Sequence, residues 1–157
     1  MENIPVTAYS GFSNVRGEIT LRKVIENITK GIHAKLIFKI RLLVSQGKME
    51  EANNVKKQLP FYTVTAGYRE KRQAYSITRY THIILLDIDD QPEEKLEGLR
   101  EKINGDPNTL ASFLTPKAHG FKIFVFMRTK YATTLRESLA KTGMDFSTLE
   151  KHHRIMY

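Results

Sequence analysis

Apolar spacing divides the chain into a helical stretch and a strand-rich one. Leu21, Val24, Ile25 and Ile28 recur at three- and four-residue steps, which predicts a helix opened by Thr20 as N-cap and stopped at Gly31. Between Ile32 and Gln46 the residues Ile32, Leu36, Ile37, Ile40, Leu43 and Val44 make one stripe, with Lys35, Lys39 and Arg41 elsewhere around the helix. The polar stretch Met49 to Gln58 fits a third, mostly exposed helix, halted before Pro60. Ahead of all three, Met1 to Gly17 carries Pro5, Gly11 and Gly17 among short polar residues and reads as an extended arm or one short strand.

Beyond Pro60 the period changes. Phe61 to Thr65 is β-branched and aromatic, and Gly67 followed by Arg69, Lys71 and Arg72 predicts a strand running into a basic loop. Thr81 to Asp89 is an almost unbroken apolar run, the pattern of a strand covered on both faces and placed centrally in its sheet. Glu93 to Ile103 predicts a helix with Pro92 in its first turn. Leu110 to Leu114 and Gly120 to Met127 flank the polar turn Thr115 to Gly120 and predict a hairpin. Thr133 to Lys141 gives a last helix, ended near Gly143. The expected architecture is one α+β domain over residues 1–157, with a helical N-terminal subregion at 18–58.

Composition removes whole classes of function. The 157 residues suit one domain, and 41% hydrophobic with 27% charged residues is ordinary globular usage. With no cysteine, disulfide scaffolds, thiolate zinc sites and cysteine nucleophiles fall away. No run approaches the roughly 18 apolar residues of a membrane helix, and the opening Met-Glu-Asn-Ile-Pro lacks a signal-peptide order, so a cytoplasmic location without membrane attachment is expected. Charge is uneven. Residues 1–80 hold 14 Lys and Arg against 6 Asp and Glu, whereas residues 81–157 hold 11 of each. A basic half beside a half with a tight acidic cluster fits a nucleic-acid binder with a cation-dependent site, and fits a merely solvated surface equally well.

The acidic cluster is the first candidate for chemistry. Asp87 and Asp89 stand two apart at the end of the apolar run, so strand alternation points both carboxylates from one face. Neighbouring carboxylates repel unless a cation neutralises them, and Mg²⁺ or Mn²⁺, completing its shell with water and phosphate, is the natural partner. The bland alternative is a strand that simply ends, with Asp90 and Gln91 continuing the loop. Haloacid-dehalogenase-type phosphatases use Asp-x-Asp but want Thr or Val where this chain has Gln91, and a long domain afterwards. Nucleotide-sugar glycosyltransferases need a second sugar-site motif that the chain lacks. The second constellation is the turn Thr115 to Lys122, in which Lys122, Lys117, His119 and loop amides are donors for a triphosphate, or else an ordinary solvated turn.

Taken together, Leu59-Pro60-Phe61 with Gly67, Leu85-Leu86-Asp87-Ile88-Asp89, and Thr115-Pro116 leading to Gly120 and Lys122 resemble the VirE N-terminal family, a primase-like group related to the archaeo-eukaryotic primase-polymerases. The resemblance runs from about residue 20 onward. It implies an RRM-like, primase-type sheet flanked by helices and a nucleotidyltransferase acting on a DNA or RNA template with nucleoside triphosphates. It also implies Asp87, Asp89 and Asp145 as catalytic and metal-binding acids. Thr115, Lys117, His119, Gly120, Lys122 and Arg154 would then bind nucleotide, and Arg69, Lys71 and Arg72 would track the nucleic acid. A helicase-like module is the implied partner, and replication of a mobile element the implied setting. Where that family has Ser-Pro-Ser-Gly, this turn has Thr115-Pro116-Lys117-Ala118, stiffer and more charged. The other expectation is a module of the same fold that binds nucleic acid without turnover.

Overall fold

A computed structural model describes residues 4–10 and 14–127. Three short antiparallel sheets and four α-helices make up the described chain, which is a mixed α+β fold as the pattern predicted. The helix expected at Thr133 to Lys141 lies outside the described residues, as do Asp145 and Arg154.

Strands β1 (Pro5–Ser10) and β2 (Asn14–Thr20) pair antiparallel as a hairpin, and β3 (Phe61–Thr63) joins β1 on its other side. The opening segment is therefore two paired strands where an arm or single strand was expected. Its polar residues conceal a sheet because Val6, Thr7 and Tyr9 are buried by tertiary packing, which a short segment cannot announce through periodicity. Thr20 then caps α1 (Leu21–Thr29), its hydroxyl accepting from the Lys23 amide at 3.2 Å. The helix ends as its sequence requires: Gly31, at φ +62°, donates to the Ile28 carbonyl while Ile32 donates to Asn27, a Schellman closure. Helix α2 (Ala34–Ser45) closes the same way on Gly47, at φ +73°. Helix α3 (Met49–Lys56) follows. It is mostly exposed, as its polar sequence predicted, and buries only Ala52 and Val55, against Ile40 and Leu43 of α2.

After β4 (Ala66–Tyr68) the chain makes a basic loop and a 3₁₀ turn at Ala74–Ser76 before β5 (Ile77–Tyr80) pairs back on β4. Thr81 fastens this hairpin to the next sheet: its amide donates to Thr65, its hydroxyl donates to the Val64 carbonyl, and the same hydroxyl accepts from Ile83. Strand β6 (Ile83–Ile88), helix α4 (Glu93–Gly105), β7 (Thr109–Leu114) and β8 (Phe121–Phe126) then form a split β-α-β unit, with strand order β6-β8-β7. Pro92 is the N-cap of α4, one position earlier than expected. Among the described residues β6 pairs only with β8 and is an edge strand. The central place expected for the most apolar segment belongs to β8, and Leu86 of β6 is 46% exposed.

The two faces of this sheet serve different cores. Ile88, Phe121, Ile123, Leu114 and Val125 pack with Ile103, Leu96 and Leu99 of α4. On the opposite face Ile83, Leu85, Phe124, Ala111 and Phe113 pack with Val6, Leu21, Val24 and Val64.

Candidate functional site

Along the second face, β6 passes from core to solvent. Ile83 is buried, Leu85 is half-buried, and Asp87 and Asp89 are exposed. The alternation that turns Ile83 and Leu85 to the core places Asp87 on the same side, just past the apolar cluster, and β6 ends at Ile88, one residue before Asp89. Strand register then supplies a cation: Asp87 is the cross-strand partner of Lys122, whose other neighbour on β7 is Phe113. The Lys122 ammonium donates to the Asp87 carboxylate, and both side chains are partly open to solvent. A lysine, drawn from residues the sequence placed in a separate motif, supplies the counter-charge.

The Thr115–Gly120 turn packs directly on the same strand end. The Gln91 amide donates to the His119 carbonyl at 2.8 Å, and the Gln91 side chain donates to the Asp89 carbonyl at 2.9 Å. Within the turn, Thr115 donates to the Gly120 carbonyl and Ala118 donates to the Thr115 carbonyl. Thr115 is buried and closes the loop, His119 is exposed, and Lys117 is half-buried. Gly120 is required by space: a β-carbon there would lie 1.8 Å from the Ile88 carbonyl oxygen. Two sequence motifs 26 or more residues apart therefore meet because a glycine lets one backbone rest on the other.

Asp87 and Lys122 are paired, and the backbone of Asp89 lies against the turn. Two exposed carboxylates two residues apart are a donor type that suits a hard divalent cation keeping waters for its remaining positions. Among the described residues no group of three or more His, Asp and Glu side chains gathers to hold a metal.

Arg69, Lys71 and Arg72 sit in the exposed loop between β4 and β5. The Arg72 guanidinium lies over the Phe61 ring at 4.9 Å. In the same segment Tyr75 is 76% exposed, and Tyr80 is exposed at the end of β5. Sequence reasoning named the three cations and missed the tyrosines, although their interleaving with basic residues was a readable signal. No described helix is long and apolar enough to cross a membrane.

Compared with known proteins, residues 54–157 match the family model described as BT4734-like, N-terminal domain. No curated protein and no solved structure matches the chain. The family match overturns the assignment to the VirE N-terminal, primase-like family, and the residue roles that the resemblance implied lose that support.

Proposed function

The chain belongs to the BT4734-like, N-terminal domain family, and from its site we infer a metal-dependent nucleotidyltransferase that acts on nucleic acid. The observation that carries this reading is the register of Asp87 with Lys122, which sets an amine beside an Asp-x-Asp pair at an open strand end. Asp87 and Asp89 would hold Mg²⁺ or Mn²⁺, which when bound supplies the positive charge that offsets developing negative charge on phosphate. Lys122 is a point charge for a triphosphate, and Lys117 and His119 stand in the adjoining turn as further donors. The reaction joins a 3′-hydroxyl oxygen to the α-phosphorus of a nucleoside triphosphate, with pyrophosphate leaving and the hydroxyl proton passing to solvent. Arg69, Lys71 and Arg72 would contact the phosphates of the template.

Primer synthesis and extension with Mn²⁺ and mixed nucleotides test this directly. Activity is expected from the native chain and none from the Asp87→Ala, Asp89→Ala double variant; turnover that survives both substitutions overturns the reading. A second reading, nucleic-acid binding without turnover, is favoured by the ion pair in which Lys122 already occupies Asp87, and by the exposed Tyr75 among basic neighbours. It predicts salt-sensitive binding that is independent of metal and unchanged by the aspartate substitutions. Calorimetric titration of Mn²⁺ and nucleoside triphosphate separates the two, since only the first predicts heat lost with the acids.

A further inference from the structure

Helix α2 is apolar on two opposite faces. At 100° per residue, Leu36, Ile40 and Leu43 point to one side, where Ile40 and Leu43 are buried on α3. Ala34, Phe38 and Leu42 point to the opposite side, and Phe38 is 70% exposed and Leu42 46% exposed. Ile32, just before the helix, is 60% exposed. Lys35 and Lys39 flank this ridge on one edge and Arg41 on the other, all three exposed. No acidic residue occurs between Glu26 and Glu50, so the rails are uniformly positive.

We propose that the Ala34–Phe38–Leu42 ridge of α2 docks an acidic amphipathic helix of a partner protein. Isolated exposed leucines are commonplace, but a large aromatic and a leucine one turn apart, opposite the buried face and between cationic rails, form a contiguous surface of defined polarity. The ridge spans about 12 Å of helix axis at 1.5 Å per residue, close to the roughly 10.5 Å reach of apolar anchors spaced i, i+4, i+7 on a partner helix. Charge complementarity selects the occupant. A second copy carries the same formal charge of +8 and its Glu-bearing helix α4 has Leu96, Leu99 and Ile103 packed on its own sheet, while residues 128–157 hold six Lys and Arg against three Asp and Glu, so neither complements the rails. The apolar arc is narrow, only Ala34, Phe38 and Leu42 wide, and aliphatic as much as aromatic. That favours packing against a partner helix over a lipid interface or base stacking.

The test uses the whole 157-residue chain and a fluorescein-labelled, Glu-rich peptide with leucines at i, i+3, i+4 and i+7. Saturable anisotropy binding is expected. It should weaken at least tenfold in Phe38→Ser/Leu42→Ser, and at least tenfold in Lys35→Glu/Lys39→Glu, with the melting temperature of both variants unchanged. A leucine-free peptide of equal charge should not bind. Equal binding of that control, absence of binding, or loss of thermal stability in Phe38→Ser/Leu42→Ser overturns the proposal. Stronger Phe38-dependent binding to phosphatidylglycerol vesicles or to single-stranded oligonucleotide than to the peptide overturns it as well.

Discussion

Replacing Gly120 by alanine is expected to break the junction on which the candidate site depends. The added β-carbon would meet the Ile88 carbonyl oxygen at 1.8 Å, the Ile88 carbonyl carbon at 2.8 Å and Asp89 Cα at 3.0 Å. All three are backbone atoms, so no side-chain rotation relieves the clash. Ordinary contact requires the turn and the end of β6 to part by roughly 1.5 Å, enough to forfeit most of the dispersion between them. That movement strains the Gln91–His119 and Thr115–Gly120 hydrogen bonds and the Ile88–Phe121 end of the ladder. At about 1 kcal/mol for each of three bonds, with a further contribution from loosening Phe121, the loss is about 3–5 kcal/mol. Urea unfolding followed by circular dichroism measures it, with Gly98→Ala as the matched control. Nothing lies within 4 Å of a β-carbon at Gly98 in the middle of α4, so that substitution should stabilise by up to about 1 kcal/mol through helix propensity. A Gly120→Ala loss smaller than about 1 kcal/mol would refute the close-approach argument.

Ala118 holds φ at +64°, and Ala118→Gly should relieve up to about 1 kcal/mol of left-handed strain, seen as a raised melting temperature; a lowered one counts against strain at this turn. Substituting Arg69, Lys71 and Arg72 by alanine should reduce the log–log salt slope of single-stranded DNA binding by about 2, at about 0.7 per phosphate contact, and an unchanged slope would place the strand elsewhere. Burial raises the Tyr9 hydroxyl above its ordinary range, against the smaller opposing effects of its Thr63 hydrogen bond and Arg72. The folded state therefore holds this proton more tightly, and the associated stability is present below the unfolded value of about 10 and lost as pH rises through the higher folded one. Relative to the native chain, Tyr9→Phe should lose less stability on going from pH 9 to pH 11 in parallel urea titrations; matching losses would mean that Tyr9 does not drive the alkaline transition.

Local chemistry was legible in the sequence wherever a few neighbouring residues decide the outcome. Thr20 and Gly31 bound α1 because capping is satisfied within one turn of chain. The place of Asp87 on the face of Ile83 and Leu85 follows from alternation alone. Long-range pairing was not legible. Nothing in the run Ile83–Ile88 says that β8 takes the centre of the sheet, because an apolar strand reads alike whether one neighbour or two bonds to it. The hairpin of β1 and β2 was hidden for the same reason, its burial coming from residues far along the chain.

The amino-acid order by itself set the helices, their ends, the basic half and the acid pair, since each depends on contacts within a turn or on strand alternation. Tertiary structure alone decided that Lys122 faces Asp87, that Gly120 rests on Ile88, and that Phe38 lies opposite the core. Those outcomes depend on register and close approach between segments whose separation in sequence carries no period.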